Sequence, residues 1–160
     1  MRVRSLTLFL ATLVVLSACN PFAEESAAEA YVTKMFSARE VGETEKVLLM
    51  YDSRPDRGTP RETWSNMLVA IENKLGRPTS YKLTNWKVML ASNAVGSGTF
   101  VTLQYAVKYE RAEGTETIVV FKPRGTSDFR IVGHNFNSQA LLFDQESPRA
   151  TESKTPSTSS

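Results

Sequence analysis

The stretch "TFVTLQYAVKYE", residues 99–110, changes face at every step. Val101, Leu103, Tyr105, Val107 and Tyr109 go one way; Thr102, Gln104, Lys108 and Glu110 go the other. A period of two sustained this long marks a strand with one buried face, because successive side chains leave a pleated backbone on opposite sides. One dry and one wet face point to an antiparallel sheet. Working outward, "SYKLTNWKVMLA" (80–91), "TETIVVFK" (115–122) and "DFRIVGHNF" (128–136) are the neighbouring strands, separated by turns at "NAVGSG" (93–98), "AEG" (112–114) and "PRGTSD" (123–128).

Ahead of the strands the period changes to that of a helix. In "SAAEAYVTKMFSARE" (26–40), Ala28, Tyr31, Val32 and Met35 fall on one face, with Ser26 and Glu29 placed as a capping box. A short helix is expected in "ETEKVLLMYDS" (43–53). The best-marked one is "TPRETWSNMLVAIENKLGRP" (59–78), where Thr59 is the expected N-cap, Pro60 the first helical residue and Gly76 the stop. Its apolar face is Trp64, Met67, Leu68, Ile71 and Leu75. Helices followed by a four-stranded meander predict an α+β fold, with N-terminal helices packed on a curved antiparallel sheet.

The chain of 160 residues is 41% hydrophobic and 22% charged, the balance of one globular domain. Its formal charge of +2 includes Arg2 and Arg4; without them the 19 cationic side chains become 17 and match the 17 carboxylates. A neutral domain lacks the cation surplus that displaces counterions from nucleic acid, so no nucleic-acid partner is expected.

Both ends read differently from the middle. Arg2 and Arg4 precede the apolar residues 6–16, and the small Ser17 and Ala18 precede Cys19, the single cysteine of the chain. This is the layout of a secretory signal, with too short an apolar run for a transmembrane helix. Within "LVVLSACNPF" (13–22), Leu16-Ser17-Ala18-Cys19 resembles the lipobox of bacterial lipoproteins. That resemblance implies cleavage before Cys19, lipidation of its thiol and attachment to a membrane. Asn20, where an aspartate would favour the inner membrane, implies the outer membrane facing the periplasm. The terminal "QESPRATESKTPSTSS" (145–160) is polar and expected to be disordered. The expected organisation is a signal over 1–18, an anchored linker over 19–23, the domain over 24–144 and the tail over 145–160.

The capped helix ending in Leu75-Gly76-Arg77-Pro78, then "GTFVTLQYAVKY", "ETIVVFK" and "FRIVGHNF", resembles small secreted bacterial proteins of unassigned function with the cystatin-like, nuclear-transport-factor-two-like fold. The resemblance spans roughly residues 30–137. It implies a cone with an interior between sheet and helices, which some members use as a catalytic pocket. Such catalysis needs a carboxylate or histidine aimed into apolar surroundings. The inward face of residues 100–110 carries none, and Glu110, Glu113, Glu116 and Asp128 are read as lying at strand ends and turns.

His134 is therefore the lone candidate base, taken by preference as a half-buried, hydrogen-bonded strand residue. One histidine and one lipidated cysteine are too few for a zinc site, and no cofactor is expected. "GSG" (96–98) lacks the lysine of a phosphate loop and is read as a hairpin turn. Arg54, Arg57 and Arg61 lie around the start of the third helix and are candidate anion contacts, with pairing to Asp56 and Glu62 in a solvated loop the preferred reading. Tyr31, Trp64, Trp86, Tyr105, Tyr109 and His134 are the candidate pocket, the aromatics being favoured as core. The expectation is a non-enzymatic envelope protein that binds a partner protein or a small apolar ligand; the alternative is an isomerase- or dehydratase-type enzyme with His134 as base. A filled interior would exclude both the apolar ligand and the enzyme and leave protein binding.

Overall fold

In the computed structural model, residues 20–54, 58–93 and 96–142 are described. Helix α1 is Pro21–Glu40, α2 is Thr44–Leu48 and α3 is Arg61–Leu75. Strands β1 (Pro78–Asn93), β2 (Gly96–Tyr109), β3 (Glu113–Pro123) and β4 (Arg130–Asn137) follow, and α4 (Gln139–Leu142) closes the described chain. The strands form one antiparallel sheet in the order β1-β2-β3-β4, so the α+β meander is as expected.

The alternation of β2 carries through to burial: Val101, Leu103, Tyr105, Val107 and Tyr109 are all buried. They meet Ala28, Val32, Met35 and Phe36 of α1 and Trp64, Leu68 and Leu75 of α3 in one core. Tyr81 of β1 stacks on Phe36 with ring centroids 4.2 Å apart, and Tyr105 meets the same ring edge-on at 5.1 Å. Aromatic pairs in these geometries add to what area burial contributes.

Several boundaries differ from expectation. Helix α1 begins at Pro21, inside the segment expected to be a linker over 19–23, because Asn20 caps it by accepting the Phe22 N–H at 3.1 Å. Ser26 lies within the helix and caps nothing. Helix α3 starts one residue later than expected: Pro60 stands at its cap without a side-chain hydrogen bond, and its carbonyl accepts the Trp64 N–H at 3.2 Å. Gly76 ends the helix as expected, with φ +84°, and any Cβ there would collide with Glu110. "GSG" is strand, not turn, since Gly96, Ser97 and Gly98 pair with Asn93, Ser92 and Ala91. Gly98 lies so close to Phe121 and the Lys122 carbonyl that no side chain would fit. Residues 1–19, with the signal and Cys19, and the tail over 145–160 lie outside the described residues.

The two edges of the sheet are unlike. On β4, Ile131 donates to the Met50 carbonyl at 2.9 Å and accepts from the Asp52 N–H at 2.8 Å, so residues 50–52 cover the start of that edge at Ile131. The outer edge of β1 pairs with no strand among the described residues. It is interrupted by irregularities at Thr79 and Thr84 and carries Lys82 and Lys87, features that discourage intermolecular pairing.

Candidate functional site

A third irregularity, in β4, builds the site. Val120 pairs with Ile131 and Val119 with Gly133, leaving Val132 as an extra residue. The bulge lets Ile131, His134 and Phe136 all reach the core face, although strict alternation from Ile131 would send His134 outward. Opposite His134 stands Ile118, and one pair further along β3 is Glu116, flanked by Tyr105 on β2 and Phe136 on β4.

Glu116 is completely buried, yet its carboxylate is fully engaged. Oε1 accepts from Arg39 Nη1 at 2.8 Å and from the Tyr109 hydroxyl at 2.6 Å; Oε2 lies 2.9 Å from Arg39 Nη1 and 2.7 Å from His134 Nε2. His134 Nδ1 in turn sits 2.6 Å from the Tyr51 hydroxyl. Arg39 arrives from the last turn of α1, where residues 28, 32, 35, 36 and 39 share the inward stripe. Tyr51 arrives from the segment that covers the β4 edge. Side chains from α1, β2 and β4 therefore meet on one carboxylate of β3, and Tyr51 joins them through His134.

Electrostatics fixes the protonation pattern. Burial alone would raise the Glu116 carboxyl, but Arg39, His134 and the Tyr109 hydroxyl outweigh it and hold it at about 2. Burial lowers His134 below its usual 6.5; Glu116 pulls the other way and Arg39 adds to the lowering. An ionised Glu116 requires the Nε2 proton of a neutral His134, so Nδ1 is the acceptor and Tyr51 donates to it. Burial pushes the Tyr51 hydroxyl well above its ordinary range, which keeps that proton in place.

The arrangement is a Glu116–His134–Tyr51 chain with both ring nitrogens of His134 occupied. The side chains of both His134 and Glu116 are 0% exposed. Of three open clefts, of about 420, 310 and 390 Å³, the second has Tyr51 in its lining, and none is lined by Arg39, Tyr109, Glu116 or His134. The space between α1, α3 and the sheet is taken by Met35, Phe36, Leu68, Leu103, Tyr105 and Ile118. Among the described residues, no three His, Cys, Asp or Glu side chains gather to hold a metal ion.

His134 is a half-buried, hydrogen-bonded strand residue as expected, with its ring sealed and bonded at both nitrogens. Glu116 is the correction. It lies inside β3, not at a strand end, and is the acid to which the other groups are bound. Trp64, Tyr105 and Tyr109 are core, while Tyr31 and Trp86 are partly buried against it, and none of the five lines a described cleft. Arg54 pairs with Asp52, Nε to Oδ1 at 2.8 Å, and Arg61 pairs with Glu45; Arg57 and Asp56 lie outside the described residues.

The network makes stability depend on pH in a definite direction. Both groups bind fewer protons folded than unfolded, so acid favours the unfolded chain. The His134 contribution is complete above the unfolded value of 6.5 and drains as pH falls through it. The Glu116 contribution is complete above the unfolded 4.5 and is lost as pH falls to about 2. The expected result is a thermal midpoint that is flat above neutrality and declines in two stages below it. Scanning calorimetry across pH checks this, and Glu116→Gln should lack the lower stage.

Comparison with known proteins adds two likenesses of shape. No family profile matches the chain, and no curated protein sequence does. Bd1075 of Bdellovibrio bacteriovorus is 14% identical with a TM-score of 0.49, covering 78% of this chain; the match spans 42% of Bd1075. A candidate scytalone dehydratase of Novosphingobium aromaticivorans is 13% identical with a TM-score of 0.48, covering 74% of this chain and 85% of its own.

Proposed function

We propose that this chain is a lipid-anchored protein of the bacterial envelope, held through Cys19 and facing the periplasm. On this reading its domain works by binding a partner protein on its surface. The observation that supports surface binding is the filled interior: side chains occupy the space between the helices and the sheet, and the Glu116 carboxylate and the His134 ring there are bound to their neighbours. The pocket-enzyme alternative is opposed by the same geometry. A base needs a free lone pair, and His134 gives its Nε2 proton to Glu116 and its Nδ1 lone pair to Tyr51.

The anchor rests on "LSAC" and its leader, and its test is direct. Cys19→Ser should abolish incorporation of a fatty-acid analogue and release the protein from membranes or block its processing, because a hydroxyl does not replace the thiolate in lipid transfer. Equal labelling of mutant and wild type would remove the anchor. For the binding role, a photo-crosslinking side chain at exposed Val69 or Val41 should capture one discrete protein adduct in intact cells. Tyr51→Phe should capture the same adduct, since surface binding does not use the hydroxyl on His134. A tightly held small molecule co-purifying in place of any adduct would move the reading to ligand carriage.

A further inference from the structure

The end of the domain where α1 begins carries apolar side chains that the core does not use. Phe22 is 66% exposed and meets half-buried Trp86 edge-on at 5.5 Å; Leu90, further along β1, is 69% exposed. Between Leu90, Pro123 and the first turn of α1 lies the cleft of about 420 Å³, bordered by Glu24, Lys122 and Thr126. On the outer face at the same end, Met89 pairs with Phe100 and Phe100 with Phe121, their two rings 4.6 Å apart. Scattered apolar residues on a surface need no explanation, but these gather at one end.

The chain itself says what that end faces. Helix α1 starts at Pro21 with Asn20 as its cap, so only Asn20 separates Cys19 from the helix. A fully extended chain spans at most about 3.6 Å per residue, so Cys19 lies within about 11 Å of Phe22. A cysteine whose acyl chains sit in a bilayer cannot hold the domain clear of it on so short a tether. Phe22, Trp86 and Leu90 are the kind of side chains that settle at the headgroup boundary.

We infer that the α1 N-terminal end, presenting Phe22, Trp86 and Leu90, lies against the phospholipid surface and fixes the orientation of the domain on the membrane. The inference rests on the anchor reading for Cys19. Charge at this end is close to balanced, Lys122, Arg124 and Arg130 against Glu24, Glu25 and Asp128, so the contact is apolar and indifferent to lipid charge. The opposite end, with Val41 and Leu142, points away from the bilayer.

The test uses the full-length protein extracted from membranes and added to preformed phosphatidylcholine vesicles, with and without phosphatidylglycerol. With Cys19 acylated, Leu90→Cys and Leu142→Cys each carry one free thiol, at positions 69% and 76% exposed in the domain itself. A water-soluble maleimide should label the Leu90→Cys thiol about tenfold more slowly than the Leu142→Cys thiol, equally on both vesicle types, as expected of a residue within the interface. Equal rates at the two positions, on protein that floats with the vesicles, would overturn the orientation while leaving the anchor. Protection confined to vesicles with phosphatidylglycerol would overturn the apolar contact. Failure to float would remove the anchor, and the orientation with it.

Discussion

Glu116→Ala should destabilise the domain by about 3–5 kcal/mol, the range for removing one partner of a buried ion pair. The loss arises less from the missing attraction than from what stays behind. Arg39 is 1% exposed, and Glu116 is the partner of its Nη1; its Nε is 3.9 Å from Glu72, and its Nη2 has no hydrogen bond. Without Glu116 a guanidinium remains in an apolar interior, His134 Nε2–H points at nothing and the Tyr109 hydroxyl loses its acceptor. A second substitution tests that cause. Arg39→Met with Glu116→Leu removes both charges and should recover much of the loss, because apolar residues of similar volume replace buried ion pairs with little penalty. Urea denaturation of the wild type and the two variants checks both statements. A double mutant no better than Glu116→Ala would show that the charge left on Arg39 is not the cause.

Trp64→Ala should cost about 3–5 kcal/mol as well, by a different route, since emptying a large aromatic site leaves a cavity. Trp64 is buried on α3 and packs on Tyr51 with centroids 4.6 Å apart. Its Nε1–H lies 3.4 Å from the Asp52 carbonyl. The indole therefore braces both the helix over the sheet and the segment that brings Tyr51 to His134. The same substitution should weaken protection of the Asp52 amide, which bonds to Ile131, in hydrogen exchange. A neutral effect in chemical denaturation would mean that α3 does not secure the core.

The sheet was legible because β2 obeys strict alternation, and a period of two admits few other readings. The helices were legible from their apolar spacing, but their first residues were not. Asn20 and Pro60 won the caps over Ser26 and Thr59, and caps depend on local backbone geometry that composition does not carry. The site was missed at Glu116, although a signal was present. In "TETIVVFK" the alternation places Glu116 with Ile118 and Val120 on the inward face, and in α1 the apolar stripe runs on to Arg39. Two opposite charges on two apolar stripes imply a buried pair. His134 was harder, because the bulge at Val132 breaks the alternation that would have placed it. Gly133 inside a strand was the one hint of that irregularity.

The unequal edges of the sheet bear on how copies of this chain could associate. Residues 50–52 occupy the outer edge of β4 at Ile131, while the outer edge of β1 pairs with no strand among the described residues. Edge-to-edge pairing through β1 would use the same surface on both copies, a two-fold contact that leaves each partner with its covered β4 outermost. A sheet with two open edges can add copies without end, and a backbone segment bonded across one edge works against such addition. The segment that brings Tyr51 to His134 therefore also blunts the β4 edge at Ile131.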